Sequence, residues 1–98
     1  MKLERFRKFN TRDVYPGGTL NNDMCMIVKA DNRIFLRGQT GLDLDQRMVD
    51  PNDAATQADQ AMANAKVLLE EAGSSLDHVC KVTTYLTDPA YRTGVYNT

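Results

Sequence analysis

From Met24 to Ala30 the side chains alternate: Met24, Met26, Val28 and Ala30 fall on one face, and Cys25, Ile27 and Lys29 on the other. A period of two is the mark of a β-strand. Asp31-Asn32 interrupts the run, and both residue types tolerate the left-handed backbone that tight hairpins require. Arg33-Ile34-Phe35-Leu36-Arg37 resumes it, so the pattern predicts a hairpin over 24–38. The period then changes. Ala54, Ala58, Ala61, Ala65, Leu68 and Ala72 form a helical stripe, widened by Met62 and Leu69, whose small residues allow close packing on a sheet. Asp50-Pro51 supplies an N-cap and a first-turn proline, and Gly73 a C′ stop. Over 78–87 alternation returns, with Val79, Thr83 and Tyr85 against Cys80, Val82, Thr84 and Leu86, and its β-branched residues favour strand. Asp88-Pro89 repeats the helix-start signal ahead of Tyr91, Val95 and Tyr96. The predicted order is strand, strand, helix, strand, helix.

The flanking segments carry weaker patterns. Residues 1–23 are expected as an arm and loop, anchored by Phe6, Phe9 and Val14, with the charged residues between them solvated. Tyr15-Pro16-Gly17-Gly18-Thr19 is a turn. No strand precedes its glycines and no periodic helix follows, which argues against a phosphate cradle. In the acidic loop 39–50, Asp43-Leu44-Asp45 lacks the central Gly of a calcium loop, and Ala54 stands at the closing Glu position. A second helix with no C-cap signal at Thr98 leaves a three-stranded sheet with little to cover. One domain over 1–98, lacking its C-terminal part, is therefore expected.

Composition narrows the function. Leu, Ile, Val and Phe make up 21 of 98 residues and the net charge is 12 − 13 = −1, so the chain should fold, with a small core that benefits from other subunits. The near-zero charge argues against a dedicated nucleic-acid binder, and Lys2, Arg5, Arg7, Lys8 and Arg12 read as a solvated arm rather than a phosphate contact. No apolar run is long enough to span a membrane, and no secretory h-region follows the charged N-terminus. Cys25 and Cys80, unpaired in spacing and placed inside predicted strands, suit reduced thiols in the cytoplasm. A lone His78 without a CxxC pair supports neither a metal site nor a triad. The chemically suggestive stretch is Arg37-Gly38-Gln39-Thr40-Gly41 at the end of the second strand, where glycine permits a ligand to approach the backbone; a bulge or turn is the equal alternative.

Three segments, Phe35-Leu36-Arg37-Gly38-Gln39-Thr40-Gly41, Ala65-Lys66-Val67-Leu68-Leu69-Glu70-Glu71-Ala72-Gly73 and Val79-Cys80-Lys81-Val82-Thr83-Thr84-Tyr85-Leu86-Thr87-Asp88, follow in the order and spacing of the Rid family of reactive intermediate deaminases, also labelled endoribonuclease L-PSP-like. The chain resembles that family, and a divergent subgroup of it, from about Met24 onward. The resemblance implies an α+β, chorismate mutase-like fold: a mixed β-sheet backed by two α-helices, in the order β-β-α-β-α with the C-terminal strands missing here. It implies homotrimers with a ligand cleft at each subunit interface, a cytoplasmic location and hydrolysis of enamines and imines such as 2-aminoacrylate without a cofactor or metal. Gly38 matches the family glycine whose backbone lines the cleft, and Gln39 its neighbour. Arg37 replaces a small hydroxyl residue and either clamps a substrate carboxylate, closes the cleft or faces solvent; Tyr85 joins these three as a substrate-binding candidate. The family tyrosine ahead of the hairpin has no clear match, Tyr15 being the alternative. The arginine and glutamate that complete the deaminase site in relatives belong beyond the second helix, so no catalytic residue is assigned. Besides an enzyme, the resemblance leaves open a non-catalytic module that binds a small carboxylate-bearing metabolite and, more weakly, an RNA-cleaving or translation-inhibiting role.

Overall fold

The computed structural model describes residues 2–14, 17–18, 21–45 and 47–97. The protein is α+β: β1 Leu3–Asn10, α1 Thr11–Val14, β2 Asp23–Ala30, β3 Arg33–Leu36, α2 Ala54–Glu71 and α3 Arg92–Tyr96, with 3-10 turns at Leu76–His78 and Pro89–Tyr91. The chain divides into two compact units, Met1–Arg37 and Gly38–Thr98.

The first unit is a three-stranded sheet in the order β1-β2-β3, antiparallel at both pairings rather than mixed. The predicted hairpin is present. Asp31 takes a φ of 54° at its turn, and its carboxylate accepts from the Lys2 N–H at 2.8 Å, tying the turn to β1. Phe6, Ile27 and Leu36 stand opposite one another across the three strands, and Ile27, fully buried, is the core of this unit. The next row, Arg5, Val28 and Phe35, belongs to the other face, where Phe35 is 57% exposed.

β1 corrects the expectation of an arm. Its apolar residues Leu3, Phe6 and Phe9 are spaced by three, so neither face alternates cleanly, and a period of two is hidden. Pairing to β2 is what makes it a strand: its register runs from Leu3 opposite Ala30 to Asn10 opposite Asp23, with Arg7 at a left-handed φ of 52° in between. Gly17 and Gly18 have positive φ as the turn requires, while Tyr15, Pro16 and Thr19 lie outside the described residues.

In the second unit the helical stripe forms as its spacing predicts: Leu68, Leu69 and Ala72 are buried and Ala54, Ala58, Ala61 and Ala65 half-buried. Met62 departs from it at 40% exposed. The start also moves by three residues. Asp53, not Asp50, is the N-cap, its carboxylate accepting from the Ala55 N–H at 3.1 Å and the Thr56 hydroxyl at 2.7 Å. Asp50 instead makes a turn, accepting from the Asn52 N–H at 2.9 Å. At the far end Gly73, at φ 87°, donates to Glu70 O, and the Ser74 N–H donates to Leu69 O, the paired bonds of a Schellman cap. Asp88 caps the next turn by accepting from the Ala90 N–H, and α3 packs against α2 near Ala55.

The strand expected over 78–87 does not form. His78 ends a 3-10 turn, 79–86 is irregular, and no ladder among the described residues includes it. The alternation fits a strand, but β-propensity is realised only against a neighbouring strand. Cys80, expected inside a strand, is exposed as a consequence.

Candidate functional site

The sheet unit carries an open hollow of about 410 Å³ on the face that bears Phe35. Met24, Met26, Val28 and Phe35 line it together with Arg5 and Arg37. Arg37 follows directly on β3, and its N–H extends the ladder by donating to Met26 O at 2.9 Å. That bond fixes the backbone from which the side chain leaves. The guanidinium is half-buried and lies 5.1 Å from the centre of the Phe9 ring, a cation–π arrangement. Arg37 is thus neither turned out to bulk solvent nor free of protein contacts.

Arg5 was hidden in the segment expected as an arm. Its Nη1 donates to Asp23 Oδ2 at 3.1 Å and its Nη2 to Asp23 O at 3.4 Å. Hydrogen bonding to the Cys25 side chain, and then to Asp23, holds its pKa above the ordinary arginine value, so it stays charged throughout. In the sequence it is one of five basic residues with Lys2, Arg7, Lys8 and Arg12, and the signal that could have set it apart, the strand that carries it, is blurred by the spacing of Leu3, Phe6 and Phe9.

The second unit holds Gly38, Gln39 and Tyr85. A Cβ added at Gly38 would meet nothing within 4 Å and its φ is not left-handed, so nothing in this fold demands a glycine there. Open space beside a bare backbone is what ligand approach needs. Gln39 is half-buried, and Tyr85 stands 91% exposed in the irregular run. Gly41 is the opposite of Gly38: a Cβ there would lie 2.6 Å from Gln57 Cγ, so this glycine is required by packing on α2.

Behind Gly41 the loop is bound to α2 through side-chain amides. Asn64 Nδ2 donates to Leu42 O at 2.7 Å, Gln60 Nε2 donates to Asn64 Oδ1 at 2.8 Å, and Gln57 Nε2 donates to Asp50 O at 2.6 Å. Sequence reading passed over Asn64, although it sits three residues after Ala61 and hence on the buried stripe. In the acidic stretch the Asp43 carboxylate accepts from the N–H groups of Asp45 and Arg47, both at 2.9 Å, which is turn-making. His78 is exposed, its Nδ1 3.3 Å from Ser74 Oγ. No helix among the described residues is long and apolar enough to cross a membrane.

Relatives place these elements in a family. The endoribonuclease L-PSP family model matches residues 22–97. Over 61 residues, 62% of this chain, it is 41% identical to a RutC family protein of Pyrococcus abyssi, covering 48% of that protein. It is likewise 41% identical to the HMF1 protein of Saccharomyces cerevisiae, covering 46% of it. Over the same length it is 34% identical to the 2-iminobutanoate/2-iminopropanoate deaminase of Mus musculus, covering 45% of it. The chain spans about half the length of the curated relatives it matches. No solved structure matches it significantly. With the family model spanning the hairpin, the Gly38–Gln39 loop, α2 and the exposed run after it, the chain belongs to the endoribonuclease L-PSP family, the Rid family that its three motifs resemble.

Proposed function

We propose that this protein binds a small carboxylate-bearing imine or enamine in clefts between three copies of the chain and hydrolyses it to a keto acid and ammonia. The observation that carries this is family membership over residues 22–97 together with relatives named as 2-iminobutanoate/2-iminopropanoate deaminases. An enamine first tautomerises to the imine. Water then adds to the C=N carbon with one of its protons passing to nitrogen, and the hydroxyl of the resulting carbinolamine gives its proton to nitrogen as the C–N bond breaks, releasing ammonia and leaving the carbonyl. Such a step needs a donor fork on the carboxylate and a water held in line. Arg37 is the fork proposed here, Gly38 offers backbone with open space beside it, and Gln39 and Tyr85 complete the substrate-binding set. The chemistry calls for no metal or organic cofactor, and the two free thiols suit the cytoplasm. A trimer would cover the apolar sheet face bearing Phe35.

Ammonia release from freshly generated 2-aminoacrylate by the full-length protein tests the proposal. Release above buffer is expected; none, with 2-oxobutyrate still bound, leaves a metabolite-binding module instead. Arg37→Ala should weaken 2-oxobutyrate binding by at least ~1.5 kcal/mol, the lower end for a charge-assisted hydrogen bond, or about tenfold. Equal affinities in a calorimetric titration would make Arg37 a surface residue. A stable monomer in light scattering would remove the interface clefts.

A further inference from the structure

We infer that Asn64, buried in α2 and outside the substrate-binding set, is the positioning residue for the ligand loop 38–41. The inference rests on the proposal that Gly38 and Gln39 meet the ligand. Asn64 is 3% exposed in a stripe that is otherwise alanine and leucine. A buried amide costs stability unless its donors and acceptor are paired, so an apolar side chain would serve helix packing at least as well. What the amide does is hold the loop: its Nδ2 donates to Leu42 O at 2.7 Å, while its Oδ1 accepts from Gln60 Nε2 at 2.8 Å, so the buried amide is paired at both ends. Leu42 comes four residues after Gly38 in the chain.

The neighbouring contacts make this bond a lever. Gly41 lies so close to α2 that an added Cβ would be 2.6 Å from Gln57 Cγ and 2.9 Å from Gln57 Cβ. The loop closes on itself through Val49 N–H donating to Gly41 O at 3.0 Å and through the Leu42–Met48 bridge, and Gln57 Nε2 holds the far end at Asp50 O. The loop is therefore seated on side chains of the helix, not on a β-ladder. Gly38, by contrast, has open space at its Cα, so its placement follows from where the chain is held on either side of it, by the Arg37 N–H on Met26 O before it and at Gly41 and Leu42 after it. Displacements of about 1 Å at a contact group can cost on the order of 100-fold in catalysis, which makes such seating functional rather than only structural.

The test is a calorimetric titration of the full-length protein with 2-oxobutyrate, paired with amide hydrogen exchange, for wild type, Asn64→Ala and Gln60→Ala. Asn64→Ala should weaken binding by about tenfold and speed exchange at the Val49 and Asp43 amides while α2 stays protected. Gln60→Ala also removes one hydrogen bond from the Asn64 side chain but leaves the bond to Leu42, so its affinity should stay within about twofold of wild type. A general structural role would move both variants alike, and equal losses would overturn the inference, as would unchanged affinity in Asn64→Ala. If Asn64→Ala does not fold, Gln57→Ala replaces it: loss of affinity with faster exchange at Val49 supports the seating, and unchanged affinity overturns it. Wild type that fails to bind 2-oxobutyrate would instead overturn the ligand site itself, and this inference with it.

Discussion

Helix α2 and the run 79–86 lie in the same unit and meet opposite fates. α2 closes its backbone hydrogen bonds within itself, is capped by Asp53 and by a Schellman pair, and buries Leu68 completely. The run 79–86 takes part in no ladder among the described residues, and Val82 and Tyr85 stand 64% and 91% exposed. A helix finds its hydrogen-bond partners four residues away, whereas a strand takes them from another strand. β1 teaches the same lesson in reverse. Its own spacing is poor, yet β2 gives it a partner along its length, and it is a strand.

The contrast is breakable by paired substitutions. Leu68→Ala should cost about 2–5 kcal/mol in denaturant unfolding, through lost burial and the cavity left behind. Val82→Ala should stay within about 0.5 kcal/mol, as exposed substitutions do. A loss at Val82 approaching that at Leu68 would mean that the run is buried against a partner in the working protein. Gly73→Ala comes next, at roughly 1–2 kcal/mol, because an alanine must adopt the left-handed φ of 87° that closes α2. No loss there would show that the Schellman cap contributes little to the helix.

Exchange and pH sharpen the comparison with smaller effects. Amides in the middle of α2 should exchange far more slowly than those of 79–86, and similar rates would place the run in a ladder. The Asp53 carboxyl is held below its ordinary value, first by the Thr56 hydroxyl and also by the N–H groups of Thr56 and Ala55. A depressed folded pKa gives stability that is fully present above the unfolded value of about 3.9 and is lost as pH falls through the folded value. Asp53→Ala should therefore lower the melting temperature at neutral pH, with the difference shrinking in strong acid. A difference that stays constant down to low pH would assign the effect to something other than the cap.

Residue patterns alone settled the hairpin at Asp31-Asn32, the stripe of α2, the stop at Gly73 and the capping role of Asp88, since each depends on neighbours within a few positions. They also marked Gly38 as a glycine of interest and the three motifs of the family. What needed the folded chain was every feature set by a distant partner. β1 exists through pairing to β2, Arg5 and Arg37 meet at one hollow because three strands bring them there, and Gly41 is obligatory because Gln57 lies against it. Asn64 could be placed on the buried stripe from spacing, but its task could not, because the carbonyl it holds is 22 residues away in the chain. Local spacing fixes which face a side chain takes; only tertiary contact decides what that face meets, and the run 79–86 shows that a face with no partner stays unformed.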